Sequence, residues 1–164
     1  MKIDLTKLFE QQRTLDQHIH SQHNVNYEKI HTELKLALIV ELAETANEIR
    51  SFKFWSNKPS SAKPIVLEEY VDGIHFITSL CIYYKVNPVF EVNEATPLTN
   101  KIDITNGFIQ LFKEACEINN AQQAQVWYCK YLQFGLSLGF SIDEIQNAYD
   151  AKNKVNHQRQ ENNY

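Results

Sequence analysis

LALIVELAETANEIR, residues 36–50, decides the fold. Its first five residues are apolar without a break. Ile39, Leu42, Ala46 and Ile49 then recur at steps of three and four, the spacing of one helical face. The reading extends to one long helix from about Tyr27 to Ser51. A helix that is apolar on most sides is a buried helix. This one carries Glu41 and Glu44 directly after its most apolar run, and residues three apart share one stripe. Carboxylates at the end of a buried segment need partners, and a cation is a natural one.

The segment that follows repeats the pattern. FKFWSNKPSSAKP, residues 52–64, is rich in Ser, Lys, Pro and aromatics and reads as a loop. Pro64 suits the first turn of a third helix, which runs to about Lys85 and is stopped by Asn87-Pro88. In that helix Tyr70, Ile74, Ile77 and Cys81 form an apolar face, and Glu69 and Asp72 form a second pair of carboxylates, flanked by Glu68. E-x-x-E on a helix ordinarily means a solvated acidic face. Here Phe76 and Leu80 continue the stripe of Glu69 and Asp72, which a solvated face would not need.

Further out, Leu5, Leu8, Leu15 and Ile19 predict a first helix over residues 5–20, followed by a polar connector around residues 20–29. A loop through Thr96-Pro97 leads to a fourth helix beginning near Thr99, with GFIQLFKEACEI apolar at helical spacing. A fifth helix covers about 121–138 and ends at Gly139. Ser141 and Glu144 form the S-x-x-E pattern that opens a final helix. Gly and Pro number four each, and no strand-like run alternates with the helices, so turn-rich all-β and parallel α/β folds are disfavoured. The expectation is an all-α, compact bundle of about five to six helices, with residues 1–164 as a single domain.

Composition narrows the function. A net charge of −4 argues against a general nucleic-acid binder, which would carry a basic face. Cys81, Cys116 and Cys129 form no CxxC pair and read as reduced thiols of a cytoplasmic protein. MKIDLTKLFEQQ lacks the apolar run of a signal peptide, and no stretch approaches the roughly 20 apolar residues of a membrane helix. The chain has no G-x-x-x-x-G-K-[ST] loop, so any phosphate must be held by a metal and by side chains. Four carboxylates from two helices suit a hard cation with oxygen ligands, above all Mg²⁺, which keeps several waters and is completed by substrate phosphates. A di-iron centre would want E-x-x-H on two helices, and the chain offers only Asp72-Gly-Ile-His75. No Cys/His spacing supports structural zinc.

ELAE followed after a loop by EEYVD has the E-x-x-E…E-x-x-D arrangement of the all-α NTP pyrophosphatases. Together with FKFWS, LEEYVDGIHF and AYDAKNKVNHQRQ, it resembles the dimeric dUTPase branch, in the form seen in Gram-positive bacteria and their phages. The resemblance runs from about Leu8 to Tyr164. It implies hydrolysis of dUTP, with dUDP as a secondary substrate, to dUMP. It implies Mg²⁺, two or more ions per site, held by Glu41, Glu44, Glu69 and Asp72, with Glu41 orienting or deprotonating the attacking water. It further implies that Lys152, Asn153, Asn156, Arg159 and Gln160 clamp phosphates, joined by Trp55 and Lys58 from the loop. Where the family commonly continues with Gly-Tyr, this chain has Asn163-Tyr164.

The base end is read from the first helix. Gln12 falls on the apolar stripe between Leu8 and Leu15, and a polar side chain there must find hydrogen bonds. The plain alternative is a buried structural amide. The resemblance matches Gln12, Leu15 and Asp16 to a Q-x-x-L-[ND] element that contacts base or sugar, with Asp16 standing where Asn is usual. Phe76 is placed to stack on the base and His75 to bond the sugar 3′-OH, although alone both read as core aromatics. The remaining histidines, including His18 and His20, are expected at the surface. Trp127, Tyr128, Tyr131 and Phe134 offer more aromatic surface than one small domain readily buries, which with the resemblance predicts a homodimer. The resemblance also implies a regulatory protein partner. Two alternatives stay open: a same-fold pyrophosphatase for another nucleotide, and a non-catalytic helical interaction protein.

Overall fold

The computed structural model describes residues 1–162. In chain order its elements are β1 (Lys2–Asp4), α1 (Thr6–His23), α2 (Tyr27–Ile49), α3 (Lys63–Tyr83), β2 (Val89–Glu91), α4 (Lys101–Cys116), α5 (Ala121–Ser137) and α6 (Ile142–Glu161). Local chemistry sets the ends. Asn26, Asn100 and Asn120 each accept a backbone N–H three residues on, satisfying a donor that the helix start leaves unpaired. Ser141 and Glu144 make the reciprocal capping box that the S-x-x-E pattern anticipates. Asn24 ends α1 in the left-handed region, and so does Arg50 at the end of α2. The Arg50 guanidinium donates to Ser56 Oγ at 3.1 Å, which ties the following loop back onto the helix.

The all-α expectation holds, with six helices. The first helix runs three residues past its expected end, so the connector shrinks to Asn24–Asn26. The antiparallel β1–β2 pair was not anticipated. Its strands are three residues each, too short for a period-2 signal, and pair Lys2 with Glu91, Ile3 with Phe90 and Asp4 with Val89. Burial of Ile3 and Phe90 anchors the start of α1 against the chain that leaves α3.

Helix α3 lies at the centre, packed against α1, α2, α5 and α6, and its most extensive partner is α2. Leu38 and Leu42 of α2 meet a core that holds Val71, Ile74, Ile77 and Leu80 of α3, all without solvent exposure. The crossing of α3 and α5 is held by a reciprocal clasp. Tyr70 donates its hydroxyl to the Tyr131 carbonyl and Tyr131 donates to the Tyr70 carbonyl, both at 2.9 Å, with the rings stacked at 4.4 Å. Gly73 and Gly135 make room for it. A Cβ at Gly73 would stand 2.5 Å from the Tyr131 hydroxyl oxygen, and one at Gly135 would stand 2.5 Å from that of Tyr70.

One expectation fails here. Trp127, Tyr128, Tyr131 and Phe134 are buried within the chain, so α5 leaves no surplus aromatic surface for a partner. The helix is covered by α3, α4 and β2 and needs apolar residues on several sides. On α5 the exposed large apolar residue is the aliphatic Val126, and others are exposed on further elements, among them Leu36 and Val40 on α2, Ile102 and Ile109 on α4, and Phe52, Phe54 and Trp55 in the α2–α3 loop. Cys81, Cys116 and Cys129 are unpaired. Among the described residues no helix is long and apolar enough to cross a membrane.

The clasp yields a stability test. Alanine in place of a helical glycine gains about 1 kcal/mol of helix propensity, but the clash at Gly73 should cost roughly 1–3 kcal/mol of overpacking. Gly73→Ala should therefore lower the urea midpoint. Adding Tyr131→Phe removes the clashing oxygen and leaves the ring carbon that bore it at 3.1 Å. The double variant should lose less than the sum of the two singles, and simple additivity would show that no clasp exists.

Candidate functional site

The α2–α3 pair brings the carboxylates together. One oxygen each from Glu41, Glu69 and Asp72 lies within 4.8 Å of the other two. Glu44 is solvent-exposed, and its charge acts on both Glu41 and Glu69. Burial, followed by the charges of Asp72, Glu44 and Glu69, pushes the Glu41 carboxyl up to about 7. Glu69 and Asp72 are also raised from their ordinary values, burial again leading. Like charges at this spacing disfavour full ionisation unless a cation screens them.

Helix α6 supplies one cation. Lys152 Nζ sits 2.7 Å from Asp72 Oδ2 and 3.0 Å from Glu68 Oε1, and its side chain is largely buried. Burial by itself would lower the Lys152 pKa, and the two carboxylates reverse that and raise it. Asn156 and Arg159 follow along the same stripe and, with Gln160, line a cavity of about 380 Å³. That volume suits a small ligand. The cavity is walled by α1, α2, α3 and α6 and reaches Glu41 and Asp72.

Its other polar residues form one connected network. Gln12, Asp16 and His75 are 3, 6 and 4 % exposed, and all three line the cavity. Gln12 Nε2 donates to Asp16 Oδ1 at 2.8 Å. Asp16 Oδ2 accepts from the Tyr27 hydroxyl at 2.6 Å and from Ser79 Oγ at 2.8 Å. Gln12 Oε1 lies 2.8 Å from His75 Nδ1 and accepts from the Tyr149 hydroxyl at 2.6 Å. Burial raises the Asp16 pKa, and the hydrogen bonds from Tyr27, Gln12 and Ser79 oppose the rise. Burial pushes His75 down to about 3, so its imidazole is neutral. An amide oxygen only accepts, so Nδ1 carries the His75 hydrogen and Nε2 is an acceptor. That Nε2 is buried and has no hydrogen-bond partner among the described residues.

The cavity thus gathers Gln12, Asp16, Glu41, Asp72, His75, Phe76, Asn156 and Arg159, with Glu69 and Lys152 bonded or clustered to its edge. It does not gather Trp55 or Lys58. Both belong to the α2–α3 loop, where Trp55 is 65 % exposed and packs edge-on against Phe52 and Phe54. Asn163 and Tyr164 lie outside the described residues. His20, expected at the surface, lines the cavity and meets the Tyr27 ring edge-on. His18 is half-buried beside His157, with 3.4 Å between their Nδ1 atoms.

Sequence reasoning missed Ser79, Tyr27 and Tyr149. Ser79 was legible in the sequence, because it continues the stripe of Asp72 and His75 at helical spacing. Tyr149 shares the buried face of α6 with Ile145 and Asn153. Tyr27 carries no signal that distinguishes it from an ordinary residue at a helix start.

A family model described as dUTPase matches residues 4–164. No curated protein matches the chain.

The raised carboxylates set a pH dependence. A folded-state pKa raised from 4.5 to about 7 at Glu41 means stability that is fully present below the unfolded value and lost as pH rises through that window. His75 works the other way. Its folded pKa lies below the ordinary imidazole value of 6.5, so its contribution is lost as pH falls. Comparison with Glu41→Gln isolates the first effect. With chelator at low ionic strength, the Tm of the wild type relative to Glu41→Gln should fall between about pH 5 and about pH 7.5. A pH-independent difference would show that Glu41 is not held in a repelling cluster.

Proposed function

The chain belongs to the all-α dUTPase family and is a dUTP diphosphatase, and from that premise we propose how its own residues carry the hydrolysis of dUTP to dUMP and pyrophosphate. The observation that carries the reading is the Glu41–Glu69–Asp72 cluster at the edge of a nucleotide-sized cavity. Its donors are all hard oxygens, and their mutual repulsion is what a divalent cation would relieve. Mg²⁺ fits, held by Glu41, Glu69 and Asp72 with Glu44 beside them, as two or more ions per site. Mg²⁺ when bound supplies charge neutralisation at phosphate oxygens.

The remaining work falls to side chains. Glu41 orients the attacking water and accepts its proton. Lys152, Asn156 and Arg159 hold the phosphates from α6, and Trp55 and Lys58 join them only when the α2–α3 loop folds over the cavity. Phe76 stacks on the base. His75 offers its unpartnered Nε2 as an acceptor to the sugar 3′-OH. Gln12 and Asp16 meet the base edge, and dUDP is a secondary substrate.

We extend the proposal to the assembly. Residues 1–164 act as one domain of a cytoplasmic homodimer. The partner surface is the exposed apolar face of α2 and α4, through Leu36, Val40, Ile102 and Ile109, since two such helices in mutual contact present apolar residues that a lone protomer leaves in water.

Glu41→Gln, Glu44→Gln, Glu69→Gln and Asp72→Asn should each lower kcat for dUTP by about 10²-fold or more, with helical circular dichroism retained. Pyrophosphate release with Mg²⁺ is the readout, and chelator should abolish it in the wild type. Wild-type turnover in two or more of these variants would remove the metal site from the proposal. Light scattering of the wild type should give twice the 19.2 kDa chain mass. Ile109→Glu with Leu36→Glu should give the chain mass, and an unchanged dimer would place the interface elsewhere.

A further inference from the structure

Gln12 presents an ambiguous group at the base end. An amide can turn end for end, offering N–H to a carbonyl oxygen or its own oxygen to an amine. At C4 uracil carries a carbonyl oxygen and cytosine carries an amine. A freely turning amide would therefore serve both bases.

The surroundings permit one orientation. On one side, Asp16 is acceptor-only while ionised, and three donors converge on its carboxylate: Gln12 Nε2, the Tyr27 hydroxyl and Ser79 Oγ. Turning the amide would press its oxygen against that carboxylate at about the 2.8 Å now spanned by an N–H···O bond. On the other side, Gln12 Oε1 receives both His75 Nδ1 at 2.8 Å and the Tyr149 hydroxyl at 2.6 Å. The single hydroxyl hydrogen of Tyr149 has a second acceptor, the Leu8 carbonyl at 3.4 Å, and the much shorter contact decides for Gln12. The Tyr149 ring also stacks on His75 at 4.2 Å, which fixes the second donor. One Nε2 hydrogen goes to Asp16, and no acceptor among the described residues engages the other. Gln12 lines the cavity, which leaves that hydrogen as the one its amide can offer a ligand.

We propose that Tyr149, acting with His75 and Asp16, is a specificity-determining positioning residue: it locks the Gln12 amide with its N–H₂ toward the base, so that the site takes the uracil carbonyl and refuses the cytosine amine. The inference rests on the dUTPase reading above and deepens it. A cytosine amine would face the Gln12 amine, donor against donor, and its N3 lone pair would face the Asp16 carboxylate where uracil brings an N–H.

The test compares kcat/KM for dUTP and dCTP in the wild type, Tyr149→Phe and Asp16→Asn. Tyr149→Phe keeps the ring on His75 and removes only the donor to Gln12. The dUTP/dCTP ratio should narrow by about tenfold, mostly through a gain or a smaller loss on dCTP, while inhibition by free pyrophosphate stays at the wild-type value. Asp16→Asn loosens the lock from the other end, because an amide can donate as well as accept, and should narrow the ratio too. Tyr128→Phe serves as control. Its buried hydroxyl bonds Thr78, away from Gln12, so its loss should leave the ratio alone. An unchanged ratio in either folded variant overturns the lock, as does an equal fall for both nucleotides or a narrowing of the same size in Tyr128→Phe. A wild type that turns over neither nucleotide refutes the dUTPase reading instead, and a wild type indifferent to the base refutes the lock alone.

Discussion

Three carboxylates within 4.8 Å of one another repel, and the fold spends stability to keep them there. For ionised groups at that spacing in a half-buried setting the repulsion is on the order of 1–3 kcal/mol per pair. The α2–α3 contact supplies the compensation. Leu38, Leu42, Ile74 and Ile77 are fully buried, and each such side chain contributes roughly 1.5–3 kcal/mol. A few apolar residues at the centre of the pair thus outweigh the repulsion at its edge. The Tyr70–Tyr131 clasp ties α3 to α5 two residues before Asp72. Lys152 then reduces the excess charge by bonding Asp72. The buried face of α6, through Ile145, Tyr149 and Asn153, packs the helix against α1 and α3 and so directs the stripe through Asn156 and Arg159.

Helix periodicity made most of this architecture legible. Long amphipathic or apolar runs gave all six helices their places, and the i, i+3 spacing gave the carboxylates a common side before any packing was known. The sequence could not say that α5 is covered by α3, α4 and β2, because coverage depends on where other elements lie. Four large aromatics therefore looked like a surplus when they are the interior of the chain. The β1–β2 pair was invisible for a different reason: three residues cannot establish a period.

The Gln12–Asp16 network was half legible. Gln12 and Asp16 are i and i+4 on one helix, so their contact is local. Their other partners are not local. His75 lies 63 residues from Gln12 and Tyr149 lies 137 away, and Ser79 lies 63 from Asp16. No pattern in α1 announces such partners. A polar residue on an apolar stripe says only that hydrogen bonds must exist somewhere, and either the structural or the binding reading of Gln12 satisfies that requirement.

The two readings of Gln12 are compatible once its hydrogen-bonding capacity is counted. Its oxygen is used twice and one N–H is used once, so Gln12 does belong to the core network. One N–H is left over. His75 gives its Nδ1 hydrogen to the same amide and leaves its Nε2 lone pair over, buried and without a partner among the described residues. Leaving such a group unsatisfied costs about 1–3 kcal/mol. A chain selected for stability alone would close these valences or replace them with apolar atoms. Both residues line the same cavity, and one keeps a spare donor and the other a spare acceptor, a set that a ligand of matching polarity would complete. The buried network does not merely support the site. By fixing which hydrogens and lone pairs remain, it sets what these side chains can offer a ligand.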